Sequence, residues 1–225
     1  MKKSIRNFKK IKSSDIWNAE NIYHLKTDTS RIGKLIYHYE IYKKITNIPG
    51  DIIECGVFKG VSFTRFLTYR SLLENNFSRK IIGFDAFGKF PKQKNKSDKN
   101  FIKKWESSAG DGISKNELNN ILLKKKFENY ELIEGDVFKT IPNFLKKSDT
   151  KKIALLHLDM DVYKPTKFVI NKLFNRMSSN GIILIDDYSA IAGATRAIDE
   201  FLKLKKNLKI KKLSYYKLPA FIVMP

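Results

Sequence analysis

One cysteine, three histidines, six prolines and no long apolar run mark this chain of 225 residues. The single cysteine, Cys55, excludes an internal disulfide framework and a cysteine-based zinc site, and it fits a reducing compartment. It reads as a small packed residue beside a glycine turn, since no partner base for a nucleophile is identifiable. No apolar stretch approaches the ~18 residues that would mark a membrane span. The start, "MKKSIRNFKKIKSSDIW", is basic without an apolar stretch behind it, unlike a secretory signal, so the expected location is cytoplasmic. No fixed-period repeat and no Pro/Gly/Ser linker divides the sequence, so residues 1–225 read as one domain, within the roughly 250 residues that one core can serve.

What is abundant is lysine. Lys plus Arg number 44 against 23 Asp plus Glu, a formal charge of +21. Such a balance ordinarily points to nucleic acid or an anionic surface. The cations are scattered lysines beside many Ile and Asn, and no arginine-rich stripe or recognition-helix pattern stands out. Nucleic acid is therefore not the expected partner, and an anionic substrate fits better.

Hydrophobic patterning supplies the architecture. Residues 1–48 read as a helical extension, in which "TSRIGKLIYHYEIYKKI" places Ile32, Leu35, Ile36, Tyr39 and Tyr42 at helical spacing with Ser30 available as a cap. His24 and His38 fall in this extension and are expected at the surface. "GDIIECG", "KIIGFDAF", "YELIEGD", "IALLHLD" and "GIILID" read as five strands. Helices follow the first, fourth and fifth as "VSFTRFLTYRSLLEN", "PTKFVINKLFNRM" and "GATRAIDEFLKL", and Asn180-Gly181 supplies a turn into the fifth strand. Strands apolar throughout that alternate with helices imply a parallel sheet covered on both faces. "LKIKKLSYYKLPAFIVMP" adds an antiparallel pair. The expectation is an α/β fold with an open, mostly parallel sheet of about seven strands.

Between the second and third strands lies a gap far longer than the usual ~4–6 residues. Its rear half begins a helix at Ser114, with capping-box spacing to Glu117. Its lysine-rich front, 86–113, reads either as a substrate lid or as a disordered insertion. Phe90 and Trp105 there could stack on a substrate ring or only pin the loop.

Ligands of open parallel sheets lie beyond the carboxyl ends of the strands, at the switch in strand order. Every one of the five strands ends in an acid: Glu54, Asp85, Asp136, Asp159 with Asp161, and Asp186 with Asp187. In so basic a chain that coincidence is the strongest signal. "ECGVFKG" sets Gly56 and Gly60 in a strand-to-helix turn open to a ligand, but Phe58 stands where a dinucleotide fingerprint needs glycine. With Asp85 placed to accept from ribose hydroxyls, a nucleoside without a pyrophosphate is indicated, and S-adenosylmethionine fits. Carboxylates converging from neighbouring strands raise one another's pKa unless a cation neutralises them, and all-oxygen ligation suits magnesium. The bland alternatives are a helix cap and a solvated Asp161. His157, two residues before Asp159 on the same face, reads as a packed core residue sooner than as a base.

Together "GDIIECGVFKGVSF", "IIGFDAFGKFP", "LIEGDVFKTIP", "LHLDMDVYKPT" and "GIILIDDYSAIAGATRAIDEF" resemble the macrocin O-methyltransferase family over about residues 30 to 204. The resemblance implies a Rossmann-like class I methyltransferase fold that uses S-adenosylmethionine and magnesium to methylate sugar hydroxyls. By motif, Glu54, Gly56, Gly60 and Ser62 would line the methionine and ribose end of the cofactor. Asp85 would hold the ribose, Asp136 would lie near the adenine, and Asp159 would border both cofactor and metal. Asp159, Asp186 and Asp187 would bind the metal, with Asp161 as general base and further ligand. The expected acceptor is a sugar, nucleotide-linked or part of a surface glycan or natural product, and a homo-oligomer is compatible. Two alternatives stand beside it: methylation of a catechol-like phenol, and non-catalytic binding of RNA or anionic glycan.

Overall fold

The computed structural model describes residues 12–91, 96–148 and 150–225. The first eleven residues of the amino-terminal extension, and Lys92 and Lys94 of the lysine-rich segment, lie outside the described residues.

Two helices precede the sheet, α1 (Ser13–Lys26) and α2 (Thr29–Ile45). The alternating core follows as β1 (Asp51–Cys55), α3 (Val61–Leu73), β2 (Ile81–Asp85), α4 (Lys96–Ala109), α5 (Lys115–Lys124), β3 (Tyr130–Glu134), α6 (Val137–Lys147), β4 (Ile153–Leu158), α7 (Tyr163–Leu173), β5 (Met177–Ile185) and α8 (Ala192–Leu204). Two short strands, β6 (Ile210–Lys211) and β7 (Ala220–Val223), end the chain.

The strand order is β3-β2-β1-β4-β5-β7-β6, with β1 to β5 parallel and β7 antiparallel to both its neighbours. Chain order reverses between β1 and β4, so the switch point lies there. Alternate strand residues feed two cores: Ile52, Ile81 and Leu155 meet Tyr37, Phe63 and Phe66 of α2 and α3, while Ile53, Ile82 and Leu156 meet Ile141, Val169 and Ile198 of α6, α7 and α8. This is the expected parallel sheet with helices on both faces.

Several local expectations need correction. Asp28, not Ser30, caps α2, and Ser30 N donates to its side chain at 2.8 Å. The buried stripe of α2 is Tyr37, His38, Ile41, Tyr42 and Ile45, whereas Leu35 and Ile36 are exposed. The helix carries large side chains nearly all round, so the sheet selects the face, and His38 is consequently fully buried. Asn180-Gly181 falls inside β5, at an irregularity in its pairing with β4, where Asn180 adopts φ 60°. A strand with a local kink replaces the expected turn.

Segment 86–113 contains α4 and returns to its own start, for Gly112 N donates to Gly88 O at 2.9 Å. Helix α5 begins at Ser114, whose side chain accepts from Glu117 N at 3.2 Å, and it packs on β3. Helix α1 buries no residue, leaving Trp17 and Leu25 exposed.

Candidate active site

The hydrogen-bond ladder continues past the strands and brings their acids to one edge. Gly135 N donates to Asp85 O, Gly56 N to Phe84 O, Asp159 N to Cys55 O and Asp186 N to Leu158 O, all at 2.9 to 3.0 Å. The acids are thereby held in register by backbone geometry. A cleft of about 910 Å³ opens above them. Its floor includes Gly56, Asp85, Asp136, Asp159, Asp161, Asp186 and Asp187; Ser62 at the start of α3 and Phe90, Trp105 and Glu106 of the 86–113 segment add walls. Cations ring it: Arg31, Lys34, Lys59, Arg65, Lys89 and Lys164.

Asp85 organises the turn after β1. Val57 N and Phe58 N donate to its Oδ2 at 2.7 and 2.9 Å, and Phe87 N donates to Oδ1 at 2.6 Å. A carboxylate has about four lone-pair sites, so capacity remains for a hydroxyl in the cleft. Asp136 caps α6, accepting from Phe138 N at 3.0 Å.

The two glycines serve internal packing first. A Cβ on Gly56, at φ 95°, would stand 1.7 Å from Asp159 O, and one on Gly60, at φ 77°, would stand 2.5 Å from a Leu118 methyl. Gly56 still lines the cleft; Gly60 does not. Glu54 also stays out of the cleft: it is fully buried, and its Oε1 lies 3.0 Å from His157 Nδ1. Cys55 is likewise fully buried, and burial pushes its thiol pKa up.

The four terminal aspartates divide into two settings. Oxygens of Asp159, Asp161 and Asp187 lie within 4.8 Å of one another. Burial and Asp186 raise the Asp159 pKa; burial and Asp159 push Asp161 to about 7; burial, Asp186 and Asp161 push Asp187 to about 9. Asp187 Oδ2 is buried without a hydrogen-bond partner. Asp161 adopts φ 62°, a strained region for a side-chain-bearing residue, and Ala194 N at the start of α8 fixes its carbonyl at 3.1 Å.

Asp186 has partners of its own. Lys34 Nζ of α2 donates to its Oδ2, while Oδ1 faces His157 Nε2 at 3.5 Å and His38 Nε2 at 3.6 Å. Burial tends to lower the His157 pKa, but its bonds to Asp186 and Glu54 prevail and raise it to about 10. Burial lowers that of His38 to about 4. His157 thus acts as a buried cation between two carboxylates, and Lys34 and His38 are site neighbours that sequence reasoning missed. Their spacing of four on one helix was the available signal.

Helix α4 is seated by Asp98, which is 3 % exposed. Trp105 meets Phe58 with ring centroids 5.7 Å apart, so it pins the segment to the glycine turn as well as lining the cleft.

Residues 28–213 match the family described as macrocin-O-methyltransferase. The chain is 25% identical over 186 residues to the 8-demethyl-8-(2,3-dimethoxy-alpha-L-rhamnosyl)-tetracenomycin-C 4'-O-methyltransferase of Streptomyces olivaceus, covering 80% of this chain and 68% of that one. It is 25% identical over 170 residues to demethyldecarbamoylnovobiocin O-methyltransferase of Streptomyces niveus, covering 69% and 59%. The fold is similar to the apo structure of CalS11, described as a TDP-rhamnose 3'-O-methyltransferase of calicheamicin biosynthesis, with TM-score 0.68, 24% identity and coverage of 95% and 87%.

Proposed function

The chain belongs to the macrocin O-methyltransferase family, and on that premise we propose that it methylates a sugar hydroxyl with S-adenosylmethionine, in the cleft above the strand ends and with the help of magnesium. The observation that carries the reading is the Asp159, Asp161 and Asp187 group at the floor of a nucleoside-sized cleft that also presents Asp85.

The residues fit both groups. Three hard oxygen donors crowd together, and the buried, unpartnered Asp187 Oδ2 calls for a cation. Asp159, Asp161, Asp186 and Asp187 would hold magnesium, which would supply Lewis-acid stabilisation of the developing alkoxide. For the cofactor, Asp85 would accept from ribose, Gly56 and Ser62 would border the methionine end, and Asp136 would lie near the adenine, all four lining the one cleft. Glu54 would act at one remove, through His157.

A sugar hydroxyl is a poor nucleophile, so the protein's tasks are to take its proton and align it. Asp161 accepts that proton, standing on the cleft floor beside Asp159 and Asp187. The carbonyl of Asp161 is fixed by α8, so the acceptor oxygen is aligned against a rigid partner. Segment 86–113 would act as the lid, with Phe90 and Trp105 excluding water from the transfer.

Incubation with S-adenosylmethionine, magnesium and a panel of nucleotide-linked rhamnose, rhamnosides and a catechol control tests the reading. Release of S-adenosylhomocysteine with a sugar product heavier by one methylene, abolished by chelation, is expected. Methylation of the catechol alone would replace the sugar with a phenol.

A further inference from the structure

We propose that the acceptor sugar carries a phosphate group, and that Arg31 of α2 and Lys164 of α7 bind this phosphate from the two sides of the cleft. The inference rests on the methyl-transfer reading above and names the class of acceptor that the same site selects.

The cleft has two halves. Gly56, Ser62, Asp85 and Asp136 belong to the half assigned to the cofactor, and the acids after β4 and β5 belong to the half left for the acceptor. Most of the cleft's cations are already in use or lie on the cofactor half. Lys59 Nζ donates to Ala109 O and stands over the Phe58 ring, so it fastens the lid segment to the glycine turn. Lys89 shares the lid wall with Glu106 and Asp111. Arg65 stands three residues after Ser62 on α3, beside the cofactor. Lys34 is taken by Asp186.

Arg31 and Lys164 remain. Helix α2 runs from the cleft down to the start of β1, so Arg31, three residues before Lys34 on the same face, stands about one turn, ~5 Å, farther out from the sheet. Lys34 reaches Asp186 at the end of β5, which sets Arg31 over the acceptor half. Lys164 lies in the first turn of α7, three residues after Asp161. Helices α2 and α7 pack on opposite faces of the sheet, so the two cations approach the cleft from opposite sides. Both are exposed, both line the cleft, and neither side chain forms a hydrogen bond or ion pair among the described residues. A neutral sugar would leave both charges without a partner. A phosphate, one pyranose ring away from the hydroxyl held at the floor, would meet the arginine fork and the lysine point charge together. Sugar nucleotides and phosphorylated glycans share this chemistry.

Wild type, Arg31→Gln, Arg31→Lys, Lys164→Gln and a control at the far end of α6, Lys146→Gln, would be compared on a nucleoside diphosphate rhamnose, rhamnose 1-phosphate and methyl rhamnoside. Steady-state kinetics gives kcat/KM, and calorimetry on protein saturated with S-adenosylhomocysteine gives binding without turnover. Wild type should prefer the phosphate-bearing acceptors about 100-fold, through KM and Kd and not through kcat. Arg31→Gln and Lys164→Gln should each shrink that preference about tenfold, Arg31→Lys should recover part of it, and Lys146→Gln should keep it. Stronger binding of the nucleoside diphosphate sugar would identify a sugar nucleotide as the source, and equal binding of the 1-phosphate a phosphorylated glycan; either supports the proposal. Equal use of methyl rhamnoside by wild type, or an unchanged preference in both Gln variants, would overturn it. So would an equal loss in Lys146→Gln, which would reduce the effect to net charge, or a loss of S-adenosylmethionine affinity beyond about tenfold in Arg31→Gln, which would place the guanidinium on the methionine carboxylate. Wild-type protein that binds no S-adenosylmethionine would sink the methyl-transfer reading itself, and calorimetry with rhamnose 1-phosphate would still decide whether Arg31 and Lys164 bind phosphate.

Discussion

At the scale of single residues, Asp161 joins a strained backbone, near-complete burial and carboxylate oxygens close to those of Asp159 and Asp187. Asp161→Asn removes the base and keeps the volume, so kcat should fall about 10²–10⁴-fold with cofactor affinity retained, as kinetics beside calorimetry would show. The same group makes the metal-free protein pH-sensitive. Asp161 and Asp187 hold their protons to about 7 and about 9, above the ordinary 3.8, because burial and neighbouring acids disfavour charge. The folded chain then binds more protons than the unfolded chain between those values and 3.8, so stability present at low pH is lost as pH rises through them. Melting temperature in chelator should drop from about pH 4 to about pH 9, and magnesium should flatten the drop. Sequence showed these acids because a strand-end position depends only on local pattern. It did not show that Asp186 pairs with Lys34, which lies 152 residues away.

Among elements, the joint between β1 and β4 is the most exacting. Gly56→Ala drives a Cβ into the Asp159 carbonyl at a backbone angle that disfavours side chains. It should cost several kcal/mol, on the order of 3, in denaturant unfolding, and displace Asp159. Helix α2, which delivers Lys34, is tied to the sheet by Arg79. That guanidinium bonds to the carbonyls of Ile45, Thr46, Ile48 and Gly50, and pairs with Glu74 at 2.7 Å with both side chains buried. Arg79→Met should destabilise by about 3–5 kcal/mol, because Glu74 and four carbonyls lose their donor. The helices after β1, β4 and β5 were legible from apolar periodicity. Helix α4 was not: its lysine-rich face masks the pair Phe101 and Trp105, and its seat on α7 depends on a buried Asp98. The face of α2 was misread for the complementary reason, an excess of apolar positions from which only packing could choose.

For the molecule as a whole, five parallel strands with a reversal of order between β1 and β4 bring the strand-end aspartates to one cleft. That much follows from apolar strands, crossover helices and the handedness of their connections. The charge of +21 has a partial structural counterpart in the six cations around the cleft. Among the described residues no helix is long and apolar enough to cross a membrane. The central claim is that this cleft binds S-adenosylmethionine through the acids at the strand ends. Calorimetric titration of wild type and Asp85→Asn, with and without magnesium, tests it most directly. Micromolar binding by wild type, weakened at least about tenfold in the variant, is predicted for a carboxylate that accepts from ribose. Absence of binding by wild type, or equal binding by both proteins, would contradict the account.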